Sequence, residues 1–453
     1  MKIEALTIGG IIWGCQLVLA QRFPPSQYFR PIRVCRAHQP LRTNMSNDLL
    51  ACTRETFKVS NVKDPDADKN IVQISQENGY LIDSYNVTTS DGYILTLFRI
   101  SGGNKSPARR GKPSVLLLHG WGNSCEAWIA LPNDKNLVYM LADAGWDVWL
   151  GNFRGSSFSL QHTILNADRN LNYWDFSFHE MGLFDFPMML DQARRVSEND
   201  KVFVIGHSQG ATATLVAAAE VPGINEKIHA VYLMAPAVYL GSAYDPFTTA
   251  TLAIAYTPGE DIIYDILQGR IQLRNPRLLF SSLGIEPQDI CQSRTLRCKL
   301  CDLPILTPFI FNQNQMNYTN IPRMVSKLFD YATVKSYLHL VQNGRSCSFR
   351  YYDRGARKNI RRYGSREPPS YNLNRVRAPV YIFYAEQDDN VTPTDIQRLA
   401  SALPSETVRA VIRVNDDTFN HEDFSVGRDT NELVYKPLIN MMTEFNGRVG
   451  TGI

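Results

Sequence analysis

Residues 202–216 constrain this chain more than any other stretch. Val202-Phe203-Val204-Ile205 is a short apolar run, mostly β-branched, which reads as a buried strand. The small-residue series Ala211, Ala213, Ala217, Ala218 and Ala219 reads as a helix. Between them lies Gly206-His207-Ser208-Gln209-Gly210. Gly-x-Ser-x-Gly between a strand and a helix is a nucleophile elbow, because so sharp a turn projects the serine oxygen clear of the sheet. A Cβ at Gly206 or Gly210 would collide with the neighbouring strand and helix. The bare pentapeptide is common by chance; the strand and helix on its two sides give it meaning.

With 453 residues, 44% of them hydrophobic, the chain can bury one large α/β core with an inserted subdomain. The net charge is +3 and no basic run stands out, so nucleic acid is not an expected partner. Lys2 followed by an apolar run from Ala5 to Ala20 reads as a signal peptide over residues 1–20. Val18 and Ala20 are small enough for cleavage before Gln21. Gly9, Gly10 and Gly14 break the run, which falls short of the ~20 residues a membrane span needs. No later stretch is long and apolar enough for a transmembrane anchor. Entry to the secretory route permits disulfides. Once Cys15 leaves with the signal, Cys35, Cys52, Cys125, Cys291, Cys298, Cys301 and Cys347 remain. Their odd number leaves at least one thiol free or paired between chains. Cys291 with Cys298 or Cys301 is the expected bridge, since Cys298-Lys299-Leu300-Cys301 has no second Cys or His pair nearby for zinc. Asn44, Asn86, Asn104 and Asn317 head glycosylation sequons. Asn390 heads another, in a loop where a glycan would obstruct the chemistry assigned to it below.

Residues 21–60 are polar and irregular, with Pro24, Pro25, Pro31 and Pro40, and read as an N-terminal extension. Tyr85–Thr89 and Tyr93–Ile100 flank Ser90-Asp91-Gly92, a hairpin signal. Strands then end at Leu118, Leu150, Ile205 and Met234, each followed by a loop and helical sequence. Repeated βα units imply a mostly parallel central sheet with helices on both faces. Ligands in such folds bind beyond the carboxyl ends of the strands. His119-Gly120-Trp121, Gly151-Asn152-Phe153-Arg154-Gly155 and Ser208 all lie in those loops. From Pro236 to about Ser346 the rhythm stops, amid apolar residues such as Phe309-Ile310-Phe311. It returns with Pro379–Tyr384 and Val408–Val414. Two strands make a poor sheet alone. The expected organisation is therefore one core over 61–237 and 346–453, with 238–345 inserted as a cap.

A serine hydroxyl needs a base to take its proton and an acid to orient that base. The elbow's fold class supplies them in the order Ser, Asp/Glu, His. After Ser208 the chain has only His229, His339 and His421. His229 lies just before a buried strand and His339 lies in the insertion. His421 follows the last strand, in the loop Asn420-His421-Glu422-Asp423-Phe424, and is the expected general base and acid. Glu386, Asp388 and Asp389 follow the strand ending at Tyr384. Thr392-Pro393 reads as a helix start with Thr392 as N-cap. Both aspartates then stay in the loop, and spacing does not separate them. An oxyanion hole needs two backbone N–H groups. Gln209, after the nucleophile, supplies one, and Trp121, in the loop after Val115–Leu118, supplies the other. The expected reaction is ester hydrolysis through an acyl-enzyme, with no metal or cofactor. Dehalogenase and epoxide hydrolase chemistry is disfavoured, because it would place an aspartate at Ser208.

With these residues placed, the chain resembles the acid lipase family of α/β-hydrolases, which includes lysosomal acid lipase and gastric lipase. The likeness runs from about Asp64 to Met442. Asp91-Gly92-Tyr93-Ile94-Leu95, Leu117-Leu118-His119-Gly120 and Leu141–Asn152 with Arg154-Gly155 carry it. So do Trp174-Asp175-Phe176-Ser177-Phe178, Gly206–Gly210 and Asn420–Phe424. The family's acid lies five residues before the position of Pro393 and seven before that of Asp395, which selects Asp388 over Asp389. The resemblance also implies neutral lipid esters (triacylglycerol or cholesteryl ester) as substrates at lipid–water interfaces. It implies a lid within the cap, a cap disulfide among Cys291, Cys298 and Cys301, and a secreted or lysosomal location. Trp121 stands where the family has Leu, Phe153 and Ser156 replace Ser and Asn, and His179 replaces Asp.

Overall fold

The computed structural model describes residues 64–241, 264–265, 267–273, 312 and 314–451. The expected signal peptide and extension, the Asn44 sequon, and Cys291, Cys298 and Cys301 lie outside the described residues. Cys125 is a buried free thiol.

The hairpin expected around Asp91-Gly92 forms between strands β1 (Leu81–Thr88) and β2 (Tyr93–Gly102), paired antiparallel. Gly92 turns the chain at φ +99°, where a Cβ is disfavoured. The strands that follow are β3 (Ser114–Leu118), β4 (Asp147–Gly151), β5 (Val202–His207), β6 (Ile228–Met234), β7 (Val380–Tyr384) and β8 (Val408–Arg413). Their spatial order is β1-β2-β4-β3-β5-β6-β7-β8, with the short strand Gln161–His162 paired to β2. Every neighbouring pair from β4 to β8 is parallel. His229, expected just before a strand, lies within β6 and is half-buried.

The apolar runs of the central strands serve two cores at once. Side chains alternate across a strand. Leu116, Leu118, Val202, Val204, Leu233 and Ile382 therefore enter one core. Val115, Leu117, Phe203, Ile205, Tyr232, Met234 and Phe383 enter the other. On the second side pack α1 (Leu137–Asp143) and the C-terminal helix (Lys436–Thr451), through Val138, Leu141, Leu438 and Met442. On the first side pack α2 (Phe186–Ser197) and α3 (Gln209–Glu220). The latter is buried along almost its whole length because its small residues admit close approach to the sheet.

After Met234 the chain leaves the sheet and rejoins it at Val380. Between these points it forms α4 (Ile321–Leu328), α5 (Val334–Ser346) and α6 (Ala356–Tyr363). His339 of α5 is buried, with Nδ1 2.9 Å from Ser177 Oγ and Nε2 2.8 Å from the Arg350 carbonyl. One expectation from charge fails here. Residues 354–366 hold six Arg and Lys and no acidic residue, a basic run that the small net charge conceals.

Arg154, in the loop after β4, is buried between two carboxylates. Its Nε donates to Asp185 Oδ1 at 2.7 Å, and Nη1 and Nη2 donate to the Asp91 carboxylate at 2.6 and 2.9 Å. The guanidinium also lies 3.9 Å from the centre of the Tyr93 ring. This joins the first hairpin to the loop after β4 and to the start of α2. Removing the arginine strands the fully buried Asp185. Arg154→Ala is expected to cost about 3–5 kcal/mol, read as a lower urea midpoint, whereas Arg357→Ala on the exposed α6 should change stability by no more than about 0.5 kcal/mol.

Candidate active site

The turn from β5 into α3 sets Ser208 at φ +50° and ψ −115°, outside the regions a residue with a Cβ ordinarily occupies. A Cβ on Gly206 would lie 2.7 Å from the Ala211 nitrogen, and one on Gly210 would lie 2.4 Å from the Leu118 carbonyl oxygen. Those are the helix and strand collisions expected from the sequence. The Ser208 N–H donates to the Met234 carbonyl at 3.0 Å, tying the turn to β6.

The structure brings Ser208, His421 and Asp388 together. His421 Nε2 is 2.9 Å from Ser208 Oγ, and His421 Nδ1 is 2.8 Å from Asp388 Oδ2. The carboxylate accepts at Nδ1, so the proton sits there and Nε2 faces the hydroxyl as an acceptor. Asp388 Oδ1 accepts from the N–H groups of Asn390 and Val391 at 2.9 and 2.7 Å. The two rival acids lie elsewhere: Asp389 is exposed, and Glu386 pairs with Arg413 at 3.1 Å. Thr392 caps the helix Pro393–Ala402 through the Asp395 N–H, so the acidic loop ends where expected.

Burial disfavours the charged form of His421, but the Asp388 charge and hydrogen bond outweigh it and hold the imidazole above its ordinary value. Asp423 fixes the loop that carries His421, accepting from the Asn420 N–H and from Asn312 Nδ2, both at 2.7 Å. Two further histidines serve the site, and sequence reading gave neither a role. His207 is buried, and its Nε2 donates to the His421 carbonyl at 3.1 Å. His119 Nδ1 donates to the Gly120 carbonyl at 2.9 Å, and its Nε2 accepts from the Phe153 N–H at 3.2 Å. Burial pushes His207 down to about 3 and His119 down to about 4, so both are neutral and act as hydrogen-bonding struts.

Trp121 and Gln209, the expected oxyanion donors, line one cavity together with Gly120, Gly122 and Met181. The Gln209 N–H lies in the first turn of α3, where no intrahelical acceptor claims it. Its side chain donates to Met181 Sδ at 3.4 Å and accepts from Ser336 Oγ of α5. The Trp121 ring sits 5.2 Å from that of Tyr337, also of α5. Glu422, unremarked in the sequence, has its Oε2 enclosed without a hydrogen-bond partner. Burial pushes its carboxyl up to about 7, against the pull of His421 and with the push of Asp388.

Comparison with known proteins places the chain by family and fold. Residues 113–424 match the alpha/beta hydrolase fold family, and residues 71–131 match the partial alpha/beta-hydrolase lipase region. Lipase 3 of Drosophila melanogaster is 31% identical over 82% of this chain and 92% of its own. Gastric triacylglycerol lipase of Bos taurus is 30% identical over 84% of this chain and 93% of its own. A solved Sulfolobus solfataricus structure, 15% identical, shares the fold with a TM-score of 0.54 over 81% of this chain and 95% of that one. The chain belongs to the acid lipase family of α/β-hydrolases, whose gastric members it resembles over most of its length.

Proposed function

We propose that the chain is a lipase that hydrolyses carboxylic esters of neutral lipids, triacylglycerol or cholesteryl ester, through a Ser208–His421–Asp388 acyl-enzyme mechanism. The observation that carries this reading is the unbroken hydrogen-bond series from Ser208 Oγ through His421 to Asp388, on a serine held at positive φ. His421 Nε2 takes the hydroxyl proton as Ser208 Oγ attacks the ester carbonyl. The N–H groups of Gln209 and Trp121 receive the oxyanion. His421 then protonates the leaving alcohol, and a water activated by the same nitrogen releases the acid. Asp388 stabilises the imidazolium in both halves. In this reading residues 238–345 are the inserted cap; 242–263 and 274–311 lie outside the described residues. The leader expected at 1–20 and the exposed sequon asparagines Asn86 and Asn104 support passage through the secretory route to a secreted or lysosomal location. Among the described residues no helix is long and apolar enough to cross a membrane.

Purified protein should release fatty acid from triolein and cholesteryl oleate emulsions, and Ser208→Ala should lose at least about a thousandfold. Equal rates for the two proteins would refute the assignment, and a preference for soluble short esters would refute the lipid substrate. The pH profile tests the electrostatics. The base must be neutral, so kcat/KM should fall as pH drops through the raised His421 value. Glu422, pushed up to about 7, favours the imidazolium over the part of this range where it is ionised, so Glu422→Gln should lower that value and move the acid limb to lower pH. An acid limb in the same place for both proteins would show that Glu422 does not act on His421.

A further inference from the structure

The basic run 354–366 is absorbed by nothing in the catalytic site. Helix α6 presents Arg357, Arg361 and Arg362 to solvent, with Arg366 just beyond it. Ile360, on the same helix, is 51% exposed, one of three large hydrophobic side chains so placed among the described residues. Asp353 and Glu367 flank the run, but both turn to Arg350, at 3.3 and 3.6 Å. Among the described residues no carboxylate pairs with Arg357, Arg361, Arg362 or Arg366.

This arrangement works against the helix that displays it. Arg357 and Arg361 are like charges four residues apart, which destabilises a helix. Arg357 and Lys358 stand in its first turn, where cations oppose the dipole. Gly355, at the N-cap, offers no side-chain bond. The helix is instead held from beneath. Asn359 Nδ2 donates to Asp353 Oδ1 and to the Arg366 carbonyl at 2.7 and 2.9 Å, and the Tyr363 hydroxyl donates to the Tyr352 carbonyl at 3.0 Å. The same segment is fastened to α5, where Gln342 exchanges two hydrogen bonds with the Asp353 backbone at 2.8 and 2.9 Å. Helix α5 in turn reaches the elbow through Ser336 and Gln209. A rigid cationic face, whose Arg357, Arg361 and Arg362 meet no carboxylate among the described residues, with an exposed aliphatic side chain suits an external surface that is both anionic and apolar.

We propose that α6 is an interfacial docking face for a lipid surface bearing ionised fatty-acid carboxylates. The guanidinium groups of Arg357 and Arg361, one turn apart beside Ile360, meet the carboxylates, with Arg362 reaching in from the flank, and Ile360 enters the acyl layer. The choice of carboxylate rests on the ester-hydrolase reading, because that reaction leaves a fatty acid at the interface where it works. A duplex nucleic acid would satisfy the arginines but not Ile360.

The test is binding alone, with the full chain carrying Ser208→Ala so that no lipid is consumed. Cosedimentation is measured with phosphatidylcholine vesicles, and with the same vesicles containing oleate or phosphatidylserine, at a pH where oleate is ionised. Binding to oleate vesicles should exceed binding to neutral ones and fall with added salt. It should weaken roughly a hundredfold when Arg357, Arg361 and Arg362 are all changed to Gln. Changing the same three to Lys should largely retain it, and circular dichroism of both variants checks that they fold. Unaltered binding by the Gln variant, equal binding to neutral vesicles, capture by phosphatidylserine but not oleate, or tighter binding to duplex DNA than to vesicles would each overturn the proposal. Because Ser208 is absent throughout, failure here leaves the hydrolysis assay of the parent chain untouched.

Discussion

Ser208 holds a backbone conformation that costs a residue with a side chain about 1–3 kcal/mol, and the arrangement of the sheet centre follows from holding it there. The strand before it and the helix after it come so close that Gly206 and Gly210 have no room for a Cβ. The serine N–H is fixed on β6, and its carbonyl accepts from the Thr212 N–H at 3.1 Å. Helix α3 is built from small residues because it must lie directly on the sheet. The strain at one residue is thus balanced by packing along a strand and a helix, and the hydroxyl is left at the carboxyl edge.

Around that hydroxyl the protein separates three histidines by environment. His119 and His207 are buried without a carboxylate on the ring, and burial keeps them neutral. His421 is just as enclosed, but Asp388 reverses the balance. The neutral pair acts on backbone: His207 on the carbonyl of His421, His119 on the loop that carries Trp121. Only His421 is placed to accept and return a proton.

Much of this was legible in the sequence because it depends on local pattern. The elbow, the hairpin at Asp91-Gly92, the parallel strands and the position of His421 after the last strand all rest on short-range periodicity and order. Spacing alone left Asp388 and Asp389 open and the family resemblance chose Asp388; the physical reason is which carboxylate turns inward to meet two N–H groups of its own loop. The bond from His207 to His421 spans 214 positions, and the Arg154 pairing to Asp91 spans 63. No periodicity encodes such contacts. Glu422 escaped notice because a carboxyl in a polar loop ordinarily faces water, and here its Oε2 does not. The basic face of α6 was hidden by an overall charge close to balance.

The central claim is that this strained turn and its hydrogen-bonded partners make Ser208 a nucleophile. Labelling with a serine-directed alkyl phosphonate, located by peptide mass spectrometry, tests it most directly. A single adduct on Ser208, formed by the folded protein and lost in His421→Ala, is the predicted result. No adduct on Ser208, or one that forms as fast without His421, would contradict it.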